Sequence, residues 1–182
     1  NTATSTFNLA WDVTAPVGSV VINGGAANTT NANVTLTLSA TDNLTGVAFM
    51  AFSNDNVTYS ANQAYATTAA WTLISGNGNR TVYVRYTDVA GNTSTSIFSD
   101  DIILDTLAPV VTWVNPVANA NLTGTSVTLN ATATDIGGSG IASLTYAVSA
   151  GTLTGTVWNI ANLPMDVYTV SATAVDNVGR TT

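Results

Sequence analysis

The chain contains no cysteine, histidine, lysine or glutamate. Without Cys there is no disulfide and no thiolate nucleophile. Without Cys and His there is no zinc site of the usual nitrogen and sulfur ligands and no His-based triad. Charge is scarce as well. Only 7% of the 182 residues are charged, where about a quarter is usual. All ten acidic residues are Asp, and the basic ones are Arg80, Arg85 and Arg180, for a net charge of −7. Nucleic acid demands a basic footprint, so it is excluded as a partner. No apolar run approaches the roughly 18 residues of a spanning helix, so no membrane insertion is expected. Phosphate-cradling glycine motifs do not occur. The chain starts at Asn1 with neither an initiator Met nor a signal peptide, and reads as a processed chain or a trimmed segment.

What is there is a sandwich-sized amount of apolar residue, 46%, set in Thr, Ser and Asn. It is written twice. DVTAPV at 12–17 returns as DTLAPV at 105–110, and VTLTLSATD at 34–42 returns as VTLNATATD at 127–135, both 93 residues on. Trp71 is matched by Trp158, and DVAGNTS at 88–94 by DNVGRTT at 176–182. The first copy therefore has the longer middle. Such self-similarity marks tandem domains.

VTLTL and TVYVRY alternate apolar and polar residues, the period of a strand with one buried face. The first copy predicts strands at Val20–Ile22, Val34–Ala40, Val47–Phe52, Trp71–Ile74, Thr81–Tyr86 and Ile97–Leu104. Gly, Asn, Asp and Pro separate them, and no helical stripe interrupts. About seven short strands in some 90 residues describe an immunoglobulin-like Greek-key sandwich. D-x-x-A-P, SATD, the Trp, V-Y-V-R-Y-T-D and D-x-A-G-N together resemble the bacterial Ig-like tandem repeats of large cell-surface and adhesin proteins. The second copy departs from them with DNVGR in place of DVAGN. The resemblance covers nearly all the chain and implies an extracellular, cell-surface location and a scaffold or adhesive role.

After DVAGN the first copy runs on through TSTSIFSDDIILD, its final strand, whereas the second copy stops at DNVGRTT. The second sandwich therefore lacks its last strand. A matching piece lies at the other end. NTATSTF at 1–7 shares five of seven residues with NTSTSIF at 92–98, and both lead to Asp before x-x-A-P. Phe7, Leu9 and Trp11 alternate with polar or small neighbours, as strand anchors would. The expected organisation is all-β. It comprises an N-terminal strand (1–11) that completes a neighbouring domain, Ig-like domain 1 (12–104), and an incomplete Ig-like domain 2 (105–182).

The repeated aspartates should gather at the domain junctions, Asp12, Asp42 and Asp88 at one and Asp105, Asp135 and Asp176 at the other. Hard oxygen ligands could hold Ca²⁺ there; the alternative is that each Asp caps its own turn and no cofactor is bound. No second functional group stands beside the carboxylates, so no enzyme is expected. Sequons occur at Asn28, Asn33, Asn43, Asn56, Asn79, Asn92, Asn121 and Asn130, candidate glycosylation sites on a surface protein. Trp71 and Trp158 read as core, and Trp113 as packing at the domain joint. Tyr168 reads as a tyrosine corner, with Arg80 at its place in the first copy, and Arg85 as outward-facing.

These features predict a structural subunit of an extracellular filament or pilus-like fibre. Its N-terminal strand would enter domain 2 of the next subunit, so that its partners are copies of itself, head to tail. A segment of a giant tandem-repeat adhesin, meeting host or neighbouring-cell surfaces, is the alternative. A carbohydrate-binding surface module is a second.

Overall fold

The computed structural model describes residue 4 and residues 11–182; Phe7 and Leu9 lie outside the described residues. These residues form strands and loops with no helix. The strands are β1 (Val17–Ile22), β2 (Asn28–Thr29), β3 (Asn33–Thr41), β4 (Val47–Ser53), β5 (Gln63–Ala64), β6 (Thr68–Thr72), β7 (Gly78–Asp88), β8 (Phe98–Leu104), β9 (Val110–Asn115), β10 (Ser126–Thr128), β11 (Asn130–Thr134), β12 (Ile141–Val148), β13 (Thr152–Thr154), β14 (Val157–Asn159) and β15 (Val170–Asp176). The chain divides into two compact units. One comprises the chain up to Ser75 with Asn79–Ile103, the other Gly76–Gly78 with Leu104–Thr182.

In the first unit a three-stranded sheet, β1-β3-β6, accompanies a five-stranded one, β2-β8-β7-β4-β5. Alternation makes the core. In β3, Val34, Leu36 and Leu38 are buried while Thr35, Thr37 and Ser39 between them are exposed. Phe52, Val82, Val84, Tyr86 and Ile102 bury the inner face of the other sheet. Tyr86 shows how tightly the unit is filled. Its ring takes the space above Gly18, where a Cβ would stand 2.5 Å from both the ring and the Ser39 carbonyl. Its hydroxyl donates to the Ser19 carbonyl at 2.6 Å. At the matching places the second copy has Val111 and Ala174. Bulk has been exchanged between the two positions, as close packing requires.

The second unit repeats this plan with fewer pairings. β9 pairs β11, β10-β14-β13 form a second ladder, and β12 pairs β15. The long β3 is matched by β10 and β11, which flank the buried Leu129, and the register shifts at Asn130/Ala131. β12 and β15 correspond to β4 and β7, but among the described residues nothing corresponds to β8. Burial records the difference. Met50, Phe52, Val82 and Val84 are 0–2% exposed, whereas their counterparts Leu144, Tyr146, Val170 and Ala172 are only half-buried.

Sequence and structure differ in detail. The strand expected at Trp71–Ile74 is Thr68–Thr72. The two-residue strands β2 and β5 carry no pattern of their own and form only against β8 and β4. The domain expected to span 12–104 gives up Gly76–Gly78 and Leu104 to the second unit. The Asn77 amide accepts from Thr106 N–H and Oγ at 3.0 and 2.7 Å and donates to Asp105 Oδ1 at 3.3 Å, which ties that loop to the second unit.

Candidate functional site

Six aspartates form two clusters, one in each unit. In each, one carboxylate oxygen per residue lies within 4.8 Å of the others, Asp12 with Asp42 and Asp88, and Asp105 with Asp135 and Asp176. The local cause is turn chemistry. Asp12 Oδ1 accepts the Thr14 N–H at 3.0 Å and Asp105 Oδ1 the Leu107 N–H at 3.3 Å, two residues ahead in each D-x-x-A-P. Asp42 Oδ2 collects the N–H groups of Leu44, Thr45 and Gly46. Asp88 and Asp176 close the same turn. Each backbone N–H donates to the carbonyl four residues on (Asn92, Arg180), and each carboxylate accepts that residue's N–H at 2.8 Å. Gly91 and Gly179, at φ 95° and 85°, allow the bend. All six side chains thus accept backbone N–H groups in turns or loops.

Tertiary bonds then draw the turns together. Asp12 Oδ2 accepts from Thr45 N–H and Oγ1 at 3.2 and 2.7 Å. Asp105 Oδ2 accepts from Ser139 N–H and Oγ at 2.8 and 2.6 Å. Asp135 Oδ2 accepts the Gly140 N–H at 2.7 Å, and a Cβ on Gly138 would collide with the Asp135 carboxylate. The clusters also differ beside the inner aspartate. Asn92 in the first unit donates its amide to Asp88 Oδ2 at 2.8 Å and to the Asp12 carbonyl at 3.2 Å. Its counterpart is Arg180, and Asp176 Oδ2 is buried with no hydrogen-bond partner.

These bonds shift the acids. Four backbone N–H groups, Leu44 foremost with Gly46, Thr45 and Asn43, hold Asp42 below the ordinary carboxylate value against the opposing effect of desolvation. Burial pushes Asp105 up, but the Ser139 hydroxyl and N–H, the Leu107 N–H and the charge of Arg180 together bring it below normal. Outside the clusters, the Ser53 hydroxyl and the N–H groups of Thr58 and Val57 lower Asp55 to about 2. A depressed folded-state pKa stabilises the fold above the unfolded value, near 4, and that contribution is lost as pH falls through the folded value. Thermal midpoints should therefore be level above about pH 5 and decline from pH 4 to pH 2. A midpoint that rises on acidification would contradict this assignment.

The aromatic candidates separate. Trp158 is 1% exposed, donates Nε1–H to the Ala150 carbonyl at 2.8 Å and meets Tyr168 edge-on at 5.9 Å. Trp71 is only half-buried. It tilts onto Phe52 at 5.5 Å, donates to Asn54 at 2.9 Å, and lines a cleft of about 340 Å³ with Asn33, Asn54, Ala70 and Thr72. Trp113, expected at a domain joint, packs on Tyr146 at 5.8 Å within its own unit. Tyr168 donates to the Pro164 carbonyl at 2.7 Å, the bond of a tyrosine corner. Arg80 reaches the carbonyls of Asn79 and Ser75 instead. Arg85 is exposed, 4.0 Å over the Tyr59 ring, a contact the alternation could not show.

Among the sequons, Asn33, Asn43, Asn79, Asn121 and Asn130 are exposed, and Asn28 and Asn56 are half-buried. Asn92 is engaged with Asp88 and Asp12, and Asn56 accepts from the Tyr59 hydroxyl. Of the strand anchors, Trp11 is described, and it is 87% exposed.

The edge of β15 is the other candidate site. Thr93 bridges Thr87 in the first unit, and the Ser94 N–H donates to the Tyr86 carbonyl at 2.9 Å. The second unit copies both, with Thr181 bridging Val175 and the Thr182 N–H donating to the Ala174 carbonyl at 3.2 Å. From there the first unit continues into β8, beside β7. Among the described residues, β15 has no strand on that side.

Among solved structures, the chain is similar to the PKD1 domain of Vibrio anguillarum Epp at 19% identity. That match covers 51% of this chain and 99% of that one, with a TM-score of 0.37. It is similar to the fibronectin(III)-like modules of Clostridium thermocellum CbhA at 16% identity, covering 90% and 88%, with a TM-score of 0.43. No curated protein matches. Residues 109–172 match the family model of the bacterial Ig domain, and the resemblance to bacterial Ig-like repeats holds over that stretch of the second unit.

Proposed function

We propose that this chain is a non-enzymatic structural subunit of an extracellular, cell-surface filament or pilus-like fibre. Residues 1–11 of one copy pair with β15 of the next. The observation that carries this reading is the flank of β15, which beyond the Thr181 bridge has no strand among the described residues, over side chains whose counterparts are buried in the first unit and which are half-buried in the second. An open edge offers a row of unpaired N–H and C=O groups that an added strand satisfies. Counting back from the aspartate of D-x-x-A-P, Trp11 and Leu9 take the places of Leu104 and Ile102, and Phe7 falls at Asp100 by that count or at Phe98 by the NTATSTF–NTSTSIF match, two residues apart and of the same parity. Ile102 and Leu104 are inward and 1% exposed in β8, so the three anchors fall on the inward parity.

A peptide of residues 1–11 should bind the chain lacking those residues in a 1:1 ratio. It should protect the β15 amides from hydrogen exchange, while a scrambled peptide should not. Protection confined to the first unit would overturn the reading.

The turn at 176–182 favours a second reading, a segment of a giant surface adhesin. It repeats the turn at 88–94, which in the first unit leads covalently into the last strand. A native polypeptide far heavier than 18.6 kDa would select it. The carbohydrate-binding alternative has less support, since Trp71 is tilted onto Phe52 with its N–H already engaged.

A further inference from the structure

We infer that Met165 of one copy packs on Val13 and Leu44 of the next, a second head-to-tail contact that presupposes the donated strand and lies beside it. The second unit already holds its pattern. Asn77 belongs to the first copy by sequence and to the second unit by contact. It bonds Asp105 and Thr106, and a Cβ on Gly137 would meet the Asn77 Cβ at 3.8 Å. The repeat gives each member a counterpart. Met165 stands where Asn77 does, three residues before the matched pair Tyr168 and Arg80. Val13 follows Asp12 as Thr106 follows Asp105, and Leu44 lies two residues past Asp42 as Gly137 lies two past Asp135. Counted back from Thr45 and Ser139, Leu44 falls on the adjacent Gly138.

The set changes character as a whole. Asn meets Thr and Gly within the chain, whereas Met would meet Val and Leu between copies. All three apolar residues stand in solvent in the single chain, Met165 at 105% exposure, Val13 at 70% and Leu44 at 57%. One exposed apolar residue is ordinary on a protein surface. Three of them, at the two sides of a contact already made once with polar and small residues, mark an interface whose other half is another copy. Chain continuity brings the two sides together. Trp11 is bonded directly to Asp12, which Thr14 and Thr45 fix among the first-unit loops. The turn at 88–94 sends β8 back along β7, so a strand donated in the same sense to β15 ends beside the start of β15. Met165 lies five residues before that start, Val170. Met is unbranched and adapts to an irregular apolar surface. Its loop and those of Val13 and Leu44 lie on different units, so the contact is heterologous and repeats from copy to copy.

The chain has no cysteine, so paired substitutions at these exposed places read the contact directly. Met165→Cys combined with Val13→Cys, and Met165→Cys combined with Leu44→Cys, should give a ladder of disulfide-linked multimers on a non-reducing gel once the assembled chains are oxidised. Met165→Cys combined with Val57→Cys should give no ladder, because Val57, 80% exposed, lies past the end of β4 that is remote from Asp42. Met165→Asp should shorten the fibres, yet the peptide of residues 1–11 should bind that variant undiminished. Fibres that yield no ladder from either pair would overturn the contact and leave the donated strand standing. So would an equal ladder from the Val57 pair. Chains that form no fibre at all would remove the donated strand and this contact together.

Discussion

Deleting residues 1–11 should abolish fibre growth. The intact chain should sediment as long polymers and the truncated chain as a monomer. On the proposed donated-strand reading the effect is large because three large apolar side chains would act at one joint. Burying Phe7, Leu9 and Trp11 contributes roughly 1.5–3 kcal/mol each, and the backbone bonds along β15 add to that. Trp11, 87% exposed within a single chain, has nearly its whole ring to bury. Leu9→Asp should behave almost as the deletion does, because Leu9 stands at the place of the buried Ile102 and would carry a charge into the groove. Asn8→Asp, one residue away on the opposite parity, should still assemble. Electron microscopy and sedimentation read the outcome. Fibres from the truncated chain would end the donated-strand reading.

Trp158→Ala should cost about 3–5 kcal/mol and unfold the second unit, since a whole domain is held by only about 5–15 kcal/mol. Trp158 faces Val127 on one side and Leu153 on the other, and it is among the few fully buried side chains of its unit. Removing it opens a cavity in a core where, among the described residues, no strand gives the cover that β8 gives the first unit. Trp71→Ala, at a half-buried position, should cost less. Hydrogen exchange should show β12 and β15 exposed in the Trp158 variant, with β3 and β7 still protected. Equal losses for the two substitutions would mean that the matching tryptophans are not distinguished by burial.

Much of the fold was legible because sheet alternation is local. In β3 and β7 the inward set follows from every second residue, and the doubled words give two units without any contact being known. The aspartate places were legible too, since each Asp caps a turn within a few residues. Other features were not. β2 and β5 are two residues long and exist because β8 and β4 present edges to them. The exchange of Gly18 and Tyr86 for Val111 and Ala174 makes sense only once strands from different sheets face each other. The 76–78 loop joined the second unit through Asn77, a residue with no pattern around it.

By itself the sequence determined the all-β class, the duplication and the gathering of three aspartates in each copy. It did so because strand period, turn chemistry and repeat spacing act over short stretches of chain. Only the tertiary structure decided which donors those aspartates meet, that Trp71 is half-buried while Trp158 is sealed, and that among the described residues β15 has no strand on one side. Each of these depends on residues far apart in sequence meeting at contact distance, where close packing and the pairing of buried polar atoms choose between otherwise equal neighbours.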